Sequence, residues 1–403
     1  MRVARYLIVK VLTIALTIFV GVFITVMLVS QPSRRGLGPP VSPFETSLEA
    51  QIFVIVHRNV NIWSTGPNAI GEDVQTRVDA MTEQLRTEMG LNLPYLPRHL
   101  LWTVKALTFE WGQLGVRQGG WASGRVTKAS AADIILQYLP NTLLLIGTAY
   151  LLVFLIGMPL ALYLSRNYGG RLDRLFAVLA PVSSIPSWVI GILLISIFAF
   201  QLRWFPFSGM YDSLKPDSVE YILQVGKHMV LPVSAIVLSL LFQIVAMWRT
   251  FFVIYSEEDY VELARAKGLP SKMLERKYIL RPALPYVITG FATSLVGFWQ
   301  LSMALEAVFR WPGLGFLYIK EALPNFWGES MEPGELIIVV GIVVIFAYLL
   351  GVTVFLLDLV YVIVDPRIRL MPGNDVQARI KSKRIGWRTR FKAWRRRKSP
   401  AHA

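Results

Sequence analysis

The residue types that usually do chemistry are sparse in this chain and scattered. It contains no cysteine, which excludes disulfide frameworks, thiolate metal sites and cysteine nucleophiles. The four histidines, His57, His99, His228 and His402, leave little for a zinc site. A catalytic cluster of His57 and His99 with Asp79 or Glu83 is conceivable. No recognised nucleophile or metal spacing accompanies it, and single loop histidines are usually structural or solvated. The sequence has no Gly-x-x-x-x-Gly-Lys-Ser/Thr phosphate cradle.

The segment that does carry a pattern is 256–282, where charges and caps alternate. Ser256 followed by Asp259 resembles a capping box, Glu257, Glu258 and Asp259 suit a helix N-terminus, and Arg265 and Lys267 suit its C-terminus. Gly268 supplies a left-handed stop with Pro270 beyond it, and a second short helix is expected from Ser271 to before Pro282 and Pro285. The product is an elbow. Ala264 and Ala266 keep its middle short enough for close approach, while Glu262 and Arg265 offer charges for registering a partner. An ordinary solvated connection with good caps explains the same residues.

The elements that must hold this elbow follow from hydropathy. The chain has 403 residues, 54% of them hydrophobic and only 17% charged, and its mean hydropathy of +0.50 is too apolar for a water-soluble surface. Six apolar stretches are long enough for a hydrocarbon core that needs about 20 helical residues: 11–29, 134–165, 175–202, 229–248, 282–305 and 336–357. Lipid offers the backbone no partners, so each reads as a helix, and the fold class is all-α integral membrane protein. Pro159, Pro181, Pro186 and Pro232 interrupt these runs.

Basic residues sort to alternate connections. One side carries Arg2, Arg5 and Lys10, then Arg166, Arg171 and Arg174, then seven from Arg249 to Arg281, and finally thirteen from Arg367 to Lys398. That side is expected to be cytoplasmic, with both termini there. The first span reads as a retained helix, since no small-residue cleavage pattern follows it. The divisions are then 1–30 with the first span, 31–133 as a long extracytoplasmic loop, 134–365 as the core with its cytoplasmic loop 255–282, and 366–403 as a basic tail. In the long loop, Val74, Val78, Met81, Leu85 and Met89 fall at helical spacing and predict a small amphipathic cap. The tail, with Asp365 and Asp375, supplies +11 of the chain's +15. Anionic lipid is its expected partner, and nucleic acid is not.

Polar residues within apolar spans should face protein or water. Gln243 and Gln300 are the pathway candidates, whereas Arg249 marks a boundary and Asp358 sits at a span edge. Gly290, Ser294 and Gly297 recur on one face of the fifth span and serve either packing or pathway lining. Glu306 and Arg310, four apart at its outer end, are either a local pair or part of an outer gate. Trp311, Phe316, Tyr318, Phe326 and Trp327 read first as an interfacial aromatic belt and second as a docking surface; Trp63, Trp102, Trp111 and Trp121 are read the same way.

The string Glu262-Leu-Ala-x-x-x-Gly268 resembles the EAA loop of permease subunits of ATP-binding cassette importers, with Leu263 in place of the first Ala. The fuller string 259–268, together with Glu306-Ala-Val-Phe-Arg-Trp-Pro-Gly-Leu-Gly315 and Asp365-Pro-Arg-Ile-Arg369, is similar to the dipeptide/oligopeptide branch. Upstream, Gly112-Gln-Leu-Gly115, Leu139-Pro-Asn-Thr-Leu143 and Ile185-Pro-Ser-Trp188 fall where that branch has short motifs. The resemblance covers about residues 74–370 and leaves 31–73 as an insertion and the tail as an extension.

It implies a six-helix permease of the type I importer kind in a bacterial or archaeal inner membrane, without an enzyme activity or cofactor of its own. ATP and Mg would bind two separate ATPase subunits. A second homologous permease and an extracytoplasmic substrate-binding protein would complete the assembly. The coupling residues carried over are Glu262, Ala264, Arg265, Ala266, Lys267 and Gly268; the pathway or outer-gate candidates are Gln243, Ser294, Gln300, Glu306 and Arg310. Di- or oligopeptides are the expected cargo, with oligosaccharides, nickel chelates or glutathione as alternatives. A secondary transporter working without ATP is the competing class.

Overall fold

The computed structural model describes residues 2–31, 42, 44–46, 48–49, 51–53, 55–56, 71–111, 113–117, 126–212, 218–323 and 336–364. His57, His402, Trp63, Gly112, Trp121, Phe326, Trp327, the 365–369 motif and the basic tail lie outside them.

Eleven helices and one ribbon are described. They are α1 (Arg2–Val29), α2 (Gly71–Glu88), α3 (Tyr95–Leu107), β1 (Gln113–Arg117), β2 (Val126–Ser130), α4 (Ala131–Arg166), α5 (Arg171–Leu179), α6 (Ser187–Leu194), α7 (Ser218–Ser256), α8 (Asp259–Ala266), α9 (Arg281–Val308), α10 (Leu314–Ala322) and α11 (Leu336–Val364). The all-α expectation holds for the spans. The long loop adds an antiparallel pair, with Gln113 opposite Ser130 and Arg117 opposite Val126, which two five-residue strands were too short to announce in sequence.

Five helices are long and apolar enough to cross a membrane, and a sixth crossing is a bent pair, 171–184 with 187–201, turning through 101°. The third span is therefore not the straight helix its hydropathy suggests. Pro181 starts a short 3₁₀ stretch, Ala180–Ser184, and Pro186 caps α6, so both prolines sit at the break where their missing N–H groups cost nothing. Pro159 and Pro232, by contrast, lie inside the continuous helices α4 and α7.

Two corrections concern the elbow's return. Ser256 ends α7 with its hydroxyl bonded to the carbonyl of Val253, and Glu258 is the residue that caps α8. The expected capping box is thus displaced by the long helix before it. Beyond Pro270, the helix does not stop before Pro282. A turn at Ser271–Met273 widens into a π-helical stretch, Leu274–Leu280, and runs on into α9 with Pro282 in its first turn and Pro285 inside it. The apolar run thus carries the helix through both prolines, as it does through Pro159 in α4.

Three buried clusters hold the bundle. One joins α1, α3, the start of α4, α10 and α11 around Trp102, Trp111 and Ile135. The second lies between α4, α6, α7 and α9. In the third, Trp248 of α7 is fully buried near Gly157 of α4, where a Cβ would come within 3.2 Å of the indole. We call the two ends of the bundle the cap end, near α2 and α3, and the elbow end, near α8.

Candidate functional site

At the elbow end, α8 leaves α7 through Glu258 and stops at Gly268, whose φ of +75° is the left-handed turn the sequence expects. The Gly268 N–H returns to the Arg265 carbonyl at 2.9 Å. Val261 and Ala264 are buried and turn α8 onto the chain's own 274–280 stretch. Of the six coupling candidates, Glu262, Arg265, Ala266, Lys267 and Gly268 are exposed and Ala264 is not. Two residues absent from that set join the exposed face: Leu263, 58% exposed, and Tyr260, 38% exposed. Leu263 was visible in the sequence only as a departure from a family pattern.

Ion pairs brace this elbow. Arg166 at the end of α4 pairs with Glu275 on the elbow's return. Arg249 on α7 pairs with the buried Asp173 of α5, its Nη2 2.5 Å from Oδ2, and lies over the Tyr168 ring. Asp173 also accepts the Gly169 N–H at 2.9 Å. Arg249 is therefore more than a boundary marker. Asp358 on α11 faces Lys10 of α1 at 3.2 Å, as a carboxylate at a span edge must.

At the cap end, the loop after α9 is clasped from three sides. The Trp311 indole, fully buried, donates to the Asn141 carbonyl at 3.0 Å; Asn141 Nδ2 donates to the Pro312 carbonyl at 2.7 Å; and the Leu314 N–H donates to the Thr142 hydroxyl at 2.7 Å. The motif 139–143 and the motif 306–315, far apart in the chain, form one joint. Glu306 completes it. Fully buried, it accepts the N–H groups of Gly315 at 2.7 Å and Phe316 at 3.3 Å, the exposed donors of the first turn of α10. Arg310 sits in the turn beyond α9 with φ +47° and is exposed, whereas Glu306 is within the helix and buried. Trp311, Trp102 and Trp111 are buried, with their indole N–H groups bonded to carbonyls, not ringed at an interface.

Between the ends, Gln243 is exposed on α7. Ser294 on α9 is half-buried, and its carbonyl accepts the Tyr150 hydroxyl at 2.7 Å. Gln300 is on α9 too, its side chain outside those described. Gly290 packs α9 on α7, since a Cβ there would meet the Met247 methyl at 2.4 Å, whereas Gly297 is open. Gln243 and Thr250 on α7 and Thr289 and Thr293 on α9 are exposed, each threonine hydroxyl donating to the carbonyl four residues before it. No group of three or more His, Asp or Glu that could hold a metal occurs among the described residues.

Residues 154–370 match the model of a family described as "Binding-protein-dependent transport system inner membrane component". The chain belongs to that family. It is similar to the oligopeptide transport system permease protein AppB of Bacillus subtilis, with 28% identity over 71% of this chain and 84% of that protein. It is also similar to the dipeptide transport system permease protein DppB of the same organism, with 26% identity over 80% of this chain and 96% of that one. A third relative, the oligopeptide permease OppB of Haemophilus influenzae, is 28% identical over 60% of this chain and 72% of its own length. As an inner membrane component of such a system, the chain is a multi-pass transport subunit. The elbow and the 306–315 half of the cap-end joint fall within the matched family region, and the 139–143 half precedes it.

Proposed function

We propose that the chain is one of two permease subunits of an ATP-driven importer of di- or oligopeptides. Two separate ATPase subunits would bind ATP and Mg, and an external binding protein would deliver the cargo at the cap end. The elbow end faces the cytoplasm, as the Lys/Arg asymmetry requires, and the tail rests on anionic lipid. The relatives named for oligopeptide and dipeptide transport support the cargo class.

The observation that carries this reading is the elbow. A short helix, entered through Glu258 and stopped at Gly268, is braced on its inner face and leaves Leu263 uncovered between Glu262, Arg265 and Lys267. An apolar residue held out of a charged rim suits burial in a partner's cleft. Because Val261 and Ala264 lock α8 to the 274–280 stretch that continues into α9, displacement of the elbow is passed to a spanning helix. Gln243 is exposed on α7, where lipid would reject its amide. Its face is the one that meets the second permease and lines the path between them.

The test is isolation of the native assembly, followed by identification of its partner chains and bound solute. The reading expects two ATPases contacting residues 260–269 and a peptide on the binding protein. A particle lacking ATPases, or uptake that survives nucleotide depletion, sinks it.

A further inference from the structure

At the cap end a cavity of about 220 Å³ lies between Phe44, Leu48 and Gln51, the end of α2, α3 and the start of α11, walled also by Trp102, Trp111, Ile337 and Val340. Its lining is mostly apolar. Gln51, only 7% exposed, lines it, and its Nε2 has no hydrogen-bond partner among the described residues. A buried amide N–H without an acceptor is unfavourable, so this donor marks where an acceptor belongs. The other polar residues of the wall are Glu88, Lys105 and Glu110, and Lys105 Nζ donates to the Glu88 carbonyl.

The opposite faces of the same helices show what surrounds them. On α3, His99, Trp102, Thr103 and Ala106 are buried, while Leu96, Leu100 and Val104 form an exposed row at spacing four. His99 contacts the Ser30 hydroxyl at the end of α1, and the Leu107 carbonyl accepts the Tyr348 hydroxyl of α11, so α3 lies along two spanning helices. The exposed row Leu16, Val20, Ile24 and Leu28 of α1 is an apolar face of the same kind. Apolar rows of this kind beside spanning helices are lipid faces.

We propose that the cavity takes one acyl chain of a glycerophospholipid from the cap-end leaflet. The chain ester carbonyl accepts the hydrogen bond from Gln51, and the headgroup stays outside. The volume is below the roughly 300–1,000 Å³ of sites that enclose a whole drug-sized ligand, as suits a single chain with its headgroup left in the interface. The lipid thereby fastens Phe44, Leu48 and Gln51 to α3 and α11.

The test uses the full chain in its native assembly, in vesicles of phosphatidylethanolamine and phosphatidylglycerol carrying phosphatidylglycerol with a diazirine on one acyl chain. Light should place adducts on peptides containing Trp102, Ala106 or Val340. Gln51→Leu, which keeps the shape and removes the donor, should lower this labelling about tenfold, the equivalent of one lost buried hydrogen bond. Ala106→Phe, which fills the cavity, should lower it at least as far, and where that variant does not assemble, Gln51→Leu decides alone. Leu16→Phe on the open face of α1 should leave it unchanged. Labelling spread evenly along α1 and insensitive to Gln51→Leu overturns the proposal, as does protein crosslinking of Leu100 to a second permease. A diazirine fatty acid that labels the cavity in preference to the phospholipid also overturns it.

Discussion

Glu306 and Gly315 are joined by a 2.7 Å hydrogen bond in which a fully buried carboxylate receives a helix N-terminal N–H. The residues are nine apart, and the bond folds the end of α9 back onto the start of α10. A carboxylate in this position does the work of an N-cap from outside the helix: its charge meets the positive end of the dipole and two N–H groups that lack an intrahelical acceptor. With Asn141 and Thr142 holding the other side of the loop, α4, α9 and α10 meet in a single polar joint inside an apolar bundle.

Removal of the Glu306 carboxylate should loosen that joint. Glu306→Ala strands the N–H groups of Gly315 and Phe316 without water, at about 1–3 kcal/mol for each buried donor left unpaired. Glu306→Gln keeps an accepting oxygen and loses only the charge-assisted part, so it should retain most of the stability. Thermal unfolding of the two purified variants checks the order. A gate role predicts in addition that Glu306→Gln transports poorly while remaining folded.

The glycines of the joint are required by space. A Cβ on Gly315 would stand 2.4 Å from the Met303 Cα, and on Gly313 it would stand 2.4 Å from Glu306 Oε2 and 2.5 Å from Thr142 Oγ1. Gly315→Ala must move backbone and should cost about 1–3 kcal/mol, as overpacking does. Gly268→Ala has open space around it and loses only the left-handed conformation, about 1–2 kcal/mol. Combining Gly315→Ala with Glu306→Ala should be clearly non-additive in thermal unfolding, because both act on one joint.

The spans and the elbow were legible because their signals are local: an apolar run of membrane length, a glycine after an alternation of charges. The cap-end joint was half legible. Its two halves, 139–143 and 306–315, stand out as motifs, but nothing in either string says that Asn141 bonds to Pro312. Glu306 and Arg310 share a helical spacing, which left a local pair and an outer-gate role both open. The helix itself ends at Val308, so Arg310 stands in the turn beyond it. Pro159, Pro181, Pro186 and Pro232 looked alike in sequence, yet only Pro181 and Pro186 sit at a bend: a proline marks a missing donor, and whether the helix breaks there depends on neighbours far along the chain. The burial of Ala264 likewise needed the position of the 274–280 stretch.

The elbow's exposed face should matter to transport and little to folding. Glu262→Lys and Leu263→Asp change only exposed positions, where substitutions usually stay within about 0.5 kcal/mol of neutral. Both should lower peptide uptake and stimulated ATPase activity of the assembly while membrane insertion stays normal. Ala264→Leu, at a buried position, should reduce insertion or stability as well, which separates inner from outer face. Unchanged uptake in Glu262→Lys counts against the docking assignment.

The Arg249–Asp173 pair should behave as a structural clamp. Asp173 has a side chain 7% exposed and Arg249 one 22% exposed, so Arg249→Met leaves a buried carboxylate with the Gly169 N–H as its remaining described hydrogen-bond partner. Loss of one partner of such a pair costs about 3–5 kcal/mol. The double variant Arg249→Met with Asp173→Asn should recover part of that loss, and a double-mutant cycle on unfolding reads the coupling. A coupling near zero removes the clamp.

Arg310 holds a conformation that a glycine would adopt freely. It follows the C-terminal residues of α9 with φ +47°, in the position where helices most often place glycine, and the Trp311 N–H returns to the Glu306 carbonyl at 2.8 Å. Substituting Ala removes the side chain and keeps the left-handed cost, whereas Gly removes both. Arg310→Gly should therefore be more stable than Arg310→Ala by about 1 kcal/mol. The two should share the same transport defect if the guanidinium acts at the outer gate, because each lacks it. Equal stability of the two would mean that the turn relaxes without the arginine. A transport difference that followed stability would assign Arg310 to the turn alone.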